Sequence, residues 1–349
     1  MKWSLNAREV QSFLNGFMCI YKPKDISLSS LKRVLITAIS NQANELDDSE
    51  VPVIEMPIVE PYPKSQALVV VGTRKQLDYR LHPMMAGKMF RPEEFRLEEL
   101  NYLEPSSSGV CLFGINDGCD SLEEIRDRAW TNEYALHGEL GRETEDHKIR
   151  GREVAKAAFD HVKRHQICKL LSRIRMQYKK ISFEFANVDL QSQDAFEIAR
   201  RGAPRPRVLG SPLVYNCELK SFRTPNFHLS VQITGENDYF LRSFVHELGC
   251  SLGTLACTRR LRRSKQGPFS TDHALLDKHF SLVSILKNIQ MCNKLVERAM
   301  KNNPDIVVFN RSEDEECGAL VETFQLRDQL EQSPETEDCL IIPWGRSYI

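Results

Sequence analysis

Three hundred and forty-nine residues, 41% hydrophobic and 27% charged with 17 glycines and 16 prolines, exclude a collagen-like, mucin-like or wholly disordered chain and suit one large domain with appendages. The formal net charge of −1 hides an asymmetry: eleven acidic and four basic residues from Lys301 onward leave 43 basic against 37 acidic in the first 300, the balance of a polyanion-binding body with an acidic tail. No run approaches the roughly 20 apolar residues of a membrane span, and ten cysteines scattered without a CxxC pair, behind an N-terminus interrupted by Arg8, Glu9 and Asn15, read as reduced thiols rather than a secreted disulfide framework.

From Gly16 the chain reads as an apolar strand over 17–21 and a Lys22-Pro23 turn. A helix follows from about Ser29 with Leu31, Val34, Leu35 and Ala38 on one face. Residues 41–66 carry Pro52, Pro57, Pro61 and Pro63 among several acids and read as a surface loop or insertion, after which the fold resumes at 67–71. Residues 110–115 and 134–140 read as strands flanking a helix near 122–130. A long helical pattern runs over 152–176, and a shorter one over 192–201 stops at Gly202 before Pro204. Phe227, Leu229, Val231 and Ile233 alternate in a strand to 234, and Phe240, Phe244, Leu248 and Leu252 have helical spacing over 239–252. A last helix is expected near 281–300, and beyond it periodicity gives way to a mobile acidic tail. This interleaving of types predicts a mixed α/β fold.

Familiar cofactor and metal signatures are missing. The chain has no G-x-x-x-x-G-K-[ST] and no G-x-G-x-x-G, so no cofactor is expected. His161 and His165 are spaced i, i+4 but lack the HExxH glutamate, and His246-Glu247 followed by Cys250 is a poor zinc pattern; no metal is expected.

Four separated segments carry the chemistry. They are Ile20-Tyr21-Lys22-Pro23; Leu103-Glu104-Pro105-Ser106-Ser107-Ser108-Gly109-Val110 with Gly114; Asn132-Glu133-Tyr134 with Leu140-Gly141-Arg142-Glu143-Thr144-Glu145-Asp146; and a distributed fourth. The fourth combines 195–202, Tyr239-Phe240-Leu241-Arg242, His246-Glu247-Leu248-Gly249, Arg259-Arg260-Leu261-Arg262-Arg263 and Gly267-Pro268-Phe269. In this order they resemble the TruB family of RNA pseudouridine synthases, over about residues 16–280. Singly each has a plainer role. Glu104 would serve as a loop acid, Tyr134 as a core strand residue, Arg200 and Arg201 as helix-end cations, and the basic run as a solvated face.

The resemblance implies an α+β (mixed α/β) pseudouridine synthase fold with a central, largely antiparallel sheet, and no PUA domain. It divides the chain into an N-terminal extension (1–15), a catalytic domain (16–280, with 41–66 inserted), a C-terminal helix (281–300) and the tail (301–349). It implies Glu104 as the catalytic carboxylate, Tyr134 stacking on the base or moving a proton, Arg200 paired with the carboxylate, and Leu241 closing the pocket wall. Asn101 stands where the family carries a stacking histidine. Lys22, Arg242, Arg259, Arg260, Arg262, Arg263 and Lys265 would meet RNA, with Arg205 and Arg207 contributing. The family's carboxylate is an aspartate; a glutamate is longer by roughly 1 Å, which predicts slow catalysis. The expected function is isomerisation of uridine in tRNA T loops or mitochondrial mRNA, with RNA as partner and a mitochondrial location, although no clear presequence is present. The alternative is an inactive relative that binds or chaperones RNA in a mitochondrial ribonucleoprotein assembly.

Overall fold

In the computed structural model, which describes residues 7–46, 53–63, 67–78, 80, 90–205, 211–301 and 306–307, the alternating runs become strands of one large sheet. The helices are α1 (Ala7–Phe13), α2 (Leu28–Asn44), α3 (Asp117–Asp120), α4 (Leu122–Asp127), α5 (Arg164–Phe185), α6 (Gln193–Arg201), α7 (Asp238–Ser251) and α8 (Leu282–Lys301). The strands that build the main sheet are β1 (Gly16–Lys22), β4 (Leu97–Glu99), β5 (Ser108–Ile115), β6 (Asn132–Leu140), β10 (Leu213–Arg223), β11 (Asn226–Thr234), β12 (Ala256–Gln266) and β13 (Phe269–Ser270). Their order is β1-β5-β12-β6-β11-β10, with β4 paired to β5 and β13 to β12. Every pairing is antiparallel except β5 with β12. This is the expected mixed α/β fold with a largely antiparallel sheet.

Both faces of the β1–β5 end are covered. Met18 and Ile20 alternate with Phe17 and Cys19, and Cys111 and Phe113 with Val110 and Leu112, so successive residues feed opposite layers. One layer joins α2, α5 and α7; the other joins α4 and the C-terminal half of α8. Strand β5 is therefore buried at all eight positions. Farther along the sheet, between β12 and β11, β6 alternates strictly between buried and half-buried residues, leaving one polar face toward solvent.

Several expectations change. The helix expected over 152–176 begins only at Arg164, because residues 153–156 form a short strand, β8 (Glu153–Lys156), against β7 (Arg142–Thr144). The Gln166 side chain accepts from the Lys163 amide to start the helix. Val34 is exposed, and α2 buries Leu28, Leu31, Leu35, Ile39, Ser40 and Ala43 instead. The stretch expected as a loop holds β2 (Val53–Pro61), paired with β3 (Leu68–Leu77) in a separate two-stranded ribbon, so 67–71 does not rejoin the main sheet. Pro57 and Pro61 are tolerated because a two-stranded ribbon has free edges. Of the tail, Lys301, which ends α8, and β14 (Ile306–Val307), paired with β9 (Ala203–Pro204), belong to the described residues; the rest lies outside them.

The parallel contact of β5 and β12 is only two residues long, Ser108 opposite Arg262 and Gly109 opposite Arg263. Gly109 has φ +136, and a Cβ there would lie 2.2 Å from the Arg263 carbonyl oxygen. Gly109→Ala is therefore expected to destabilise the protein by about 2–4 kcal/mol, read as a lower denaturation midpoint.

Candidate active site

Beyond that short contact the sheet splits, and side chains replace the missing ladder. Arg263 Nε donates to the Val110 carbonyl at 2.7 Å, and Gln266 Oε1 accepts from the Leu112 amide at 2.8 Å. Chain leaving β4 fills the split. Arg263 Nη2 donates to the Asn101 carbonyl at 3.4 Å and Gln266 Nε2 to Asn101 Oδ1 at 3.0 Å. Leu103, fully buried, anchors the loop that follows.

Lys22 and Asp238 fix the loop from opposite sides. Lys22 is fully buried, and its ammonium donates to the carbonyls of Pro105 at 3.2 Å, Ser107 at 2.5 Å and Pro23 at 3.3 Å. Burial lowers its pKa, while three acceptors favour the charged form. Asp238, the first residue of α7, accepts from the Glu104 amide at 2.9 Å and from the Ser107 hydroxyl at 2.6 Å. Asn237 caps that helix by accepting from the Phe240 amide.

The Glu104 carboxylate meets Arg242 in a fork, Nη1 to Oε2 at 2.5 Å and Nη2 to Oε1 at 2.8 Å. Lys148 Nζ lies 2.8 Å from Oε2, and the Ser106 hydroxyl donates to the same oxygen at 3.3 Å. The hydrogen bonds from Arg242, aided by Lys148 and opposed by burial, pull the Glu104 pKa down to about 2. Glu104 is thus an anion at any ordinary pH, with Oε2 contacted by Arg242, Lys148 and Ser106 and Oε1 by Arg242.

A second polar group lies on the sheet. Tyr134 of β6 is 2% exposed, and its hydroxyl donates to Glu236 Oε1 at 2.6 Å. Asn132 Nδ2 reaches the same oxygen at 2.8 Å, and Arg263 Nη1 approaches the Tyr134 hydroxyl at 3.5 Å. Burial pushes the Tyr134 phenol well above its ordinary pKa and raises the Glu236 carboxyl as well. Glu236 precedes α7 in the connection from β11, two residues before Asp238 and six before Arg242.

The sequence-predicted residues divide. Glu104 and Tyr134 occupy this centre. Arg200 does not: it is exposed in the last turn of α6, where it suits the helix dipole, and the partner of Glu104 is Arg242. Arg242, expected on the RNA rim, is 5% exposed, and Arg263 and Lys22 have no exposed surface. None of these three forms part of an outer face. Leu241 is fully buried in the main core. Asn101 sits half-buried in the split. Arg259, Arg260, Arg262 and Lys265 are exposed along β12, with Arg262 5.6 Å from the Tyr21 ring centroid. Arg205 is half-buried and Arg207 lies outside the described residues. Lys148, Glu236 and Asp238 escaped the sequence reading. Asp238 was detectable as an acid opening a helix four residues before the arginine of Tyr-x-x-Arg.

Arg242→Met should return the Glu104 pKa from about 2 to its ordinary range or above, since burial remains, and Lys148→Met should raise it less. Carboxyl carbon NMR titration reads both. Because the folded pKa lies below the unfolded value, Glu104 stabilises the fold above about pH 4.5 and loses this contribution as pH falls toward 2. Arg242→Met should therefore shift acid unfolding to higher pH.

Residues 100–239 match the model of the TruB family pseudouridylate synthase N-terminal domain. A mitochondrial pseudouridylate synthase TRUB2 from Xenopus tropicalis is 29% identical over 84% of this chain and 90% of its own length. Its Homo sapiens counterpart is 28% identical over 84% and 88%. Homo sapiens TRUB1 is 26% identical over 58% of each chain. Among solved structures, an archaeal box H/ACA sRNP Nop10-Cbf5 complex gives a remote likeness, TM-score 0.43 at 11% identity, over 82% of this chain and 59% of that one. The chain is thus similar across its centre to the TruB family pseudouridylate synthase N-terminal domain and along most of its length to these TRUB2 relatives.

Proposed function

We propose that this protein converts uridine to pseudouridine within RNA, with Glu104 as the catalytic carboxylate, on tRNA T loops or mitochondrial mRNA and inside mitochondria. The observation that carries the reading is Glu104, ionised and forked to Arg242 on a loop pinned at both its backbone amide and its neighbouring carbonyls. The reaction breaks the N1–C1′ bond, turns the base and joins C5 to C1′. It needs an anion beside the sugar, acting as nucleophile or base. The target nucleotide must first leave its stack, which requires backbone contacts around the cleft. The exposed Arg259, Arg260, Arg262 and Lys265 supply a basic strip for that purpose. The mitochondrial assignment follows the names of the TRUB2 relatives.

The fork also bears on the extra methylene of glutamate. With its amide held by Asp238 and Pro105 held by Lys22, the loop has little freedom to advance. A shorter side chain would withdraw from Arg242. The fit supports a loop matched to glutamate, against the expectation that aspartate would work better. Glu104→Asp is expected to lower single-turnover pseudouridine formation on a T-loop hairpin by roughly 10- to 100-fold, and Glu104→Gln to abolish it. Wild type forming no more pseudouridine than Glu104→Gln, with both binding the hairpin equally, would leave the RNA-binding reading in its place.

RNA binding makes a separate demand. Arg262→Glu should weaken hairpin binding and reduce the slope of log affinity against log salt by about 1 or more. Its folding should be unaffected, because the side chain is exposed. An unchanged slope would remove β12 from the RNA surface.

A further inference from the structure

Glu236 is a half-buried acid with an inaccessible carboxylate oxygen, and the reaction as drawn so far does not use it. Its Oε2 has neither exposed surface nor a hydrogen-bond partner, although its Oε1 takes hydrogen bonds from both Tyr134 and Asn132. An unpartnered buried carboxylate oxygen is costly and asks for a reason. Neutralising Arg263 is an incomplete one, since the guanidinium spends its donors on Val110, Cys111, Asn101 and the Tyr134 hydroxyl. The contact between the two charges runs through that hydroxyl.

The hydroxyl geometry is informative. Tyr134 Oη already gives its proton to Glu236 at 2.6 Å and is approached by Arg263 from the other side at 3.5 Å. Toward any third group it presents a lone pair, so it acts as an acceptor. Desolvation makes a free phenolate unfavourable there. A phenol that passes its own proton to a carboxylate while taking another avoids that state.

We infer that Glu236 is the proton acceptor behind Tyr134, and that the pair removes the C5 hydrogen after C5 has bonded to C1′. The C5–H bond breaks as Tyr134 Oη takes that proton and the phenol's own proton moves to Glu236 Oε1. The C–H electron pair re-forms the C5=C6 bond, electrons shift to N1, and N1 takes a proton from water. Glu236, now a neutral acid, returns its proton to solvent and closes the cycle. Acting through Tyr134, Glu236 is a positioning and proton-accepting residue. The inference rests on the isomerase reading above.

The test compares single-turnover pseudouridine formation on hairpins carrying uridine or 5-deuterouridine, using the full-length chain. Glu236→Gln, whose amide cannot accept the proton, should slow the reaction by about 10²- to 10⁴-fold and raise the deuterium effect above the wild-type value. Tyr134→Phe should do the same, and the double variant should be no slower than the worse single one, because the two act as a unit. Glu236→Asp should recover part of the rate. A Glu236→Gln protein that only melts earlier, with rate and isotope effect unchanged, overturns the relay. If Glu236→Gln does not fold, an unchanged isotope effect in Tyr134→Phe, which leaves Glu236 in place, overturns it equally. A wild type that forms no pseudouridine removes the isomerase reading and the relay together, whereas an active wild type beside unaffected variants removes the relay alone.

Discussion

The arrangement depends on one buried cation. Arg263 has no exposed surface, and a guanidinium out of water is stable only when its donors are satisfied and its charge is answered. The molecule meets that need at the split between β5 and β12. The side chain supplies the hydrogen bond that a regular ladder would make to Val110, takes the carbonyl of the incoming chain at Asn101, and touches the hydroxyl that leads to Glu236. A continuous sheet would have no gap from which a loop could emerge. An open gap without Arg263 and Gln266 would leave backbone groups of β5 unpaired.

The answering charges come from one short connection. Between β11 and the second turn of α7, Glu236 holds Tyr134, Asp238 holds the amide of Glu104, and Arg242 holds its carboxylate. The spacing explains the division of labour. Asp238 and Arg242 are four apart and share a helix face, whereas Glu236 stands before the cap and turns toward the sheet. Three residues within seven positions therefore set the relation between the loop and β6.

Much of the fold was legible in the sequence, since strict alternation in β6 and β11 and helical spacing in α6, α7 and α8 reflect one-sided burial. The failures have physical causes. The pattern over 152–176 merges a β-strand with a helix because short apolar runs fit both periods. The ribbon of β2 and β3 was hidden by its prolines, which normally argue against strands. At the candidate site, motif order singled out Glu104 and Tyr134 but not, as their partners, the Arg242 and Glu236 that their side chains meet. The arginine that binds Glu104 was misplaced because Arg200 and Arg242 both sit on short amphipathic helices; burial separates them, and burial belongs to the tertiary structure. Arg263 was read as surface because it stands in a basic run, although strand alternation would turn Arg262 and Arg263 to opposite faces.

The sequence separation across the split bears on how the protein is made. The loop is carried by residues near 104, yet its clamps lie at 238 and 242 and its backing strand at 256–266. Local folding of the first half of the chain cannot order it, because the loss of chain entropy is repaid only when these distant segments arrive. The β1–β5 pairing and the Lys22 contacts to the loop carbonyls lie wholly within the first third of the chain. The Glu104 carboxylate gains its Arg242 partner only after more than two thirds of the protein has been synthesised. A chain released before that point would carry the Glu104 loop with its centre unassembled.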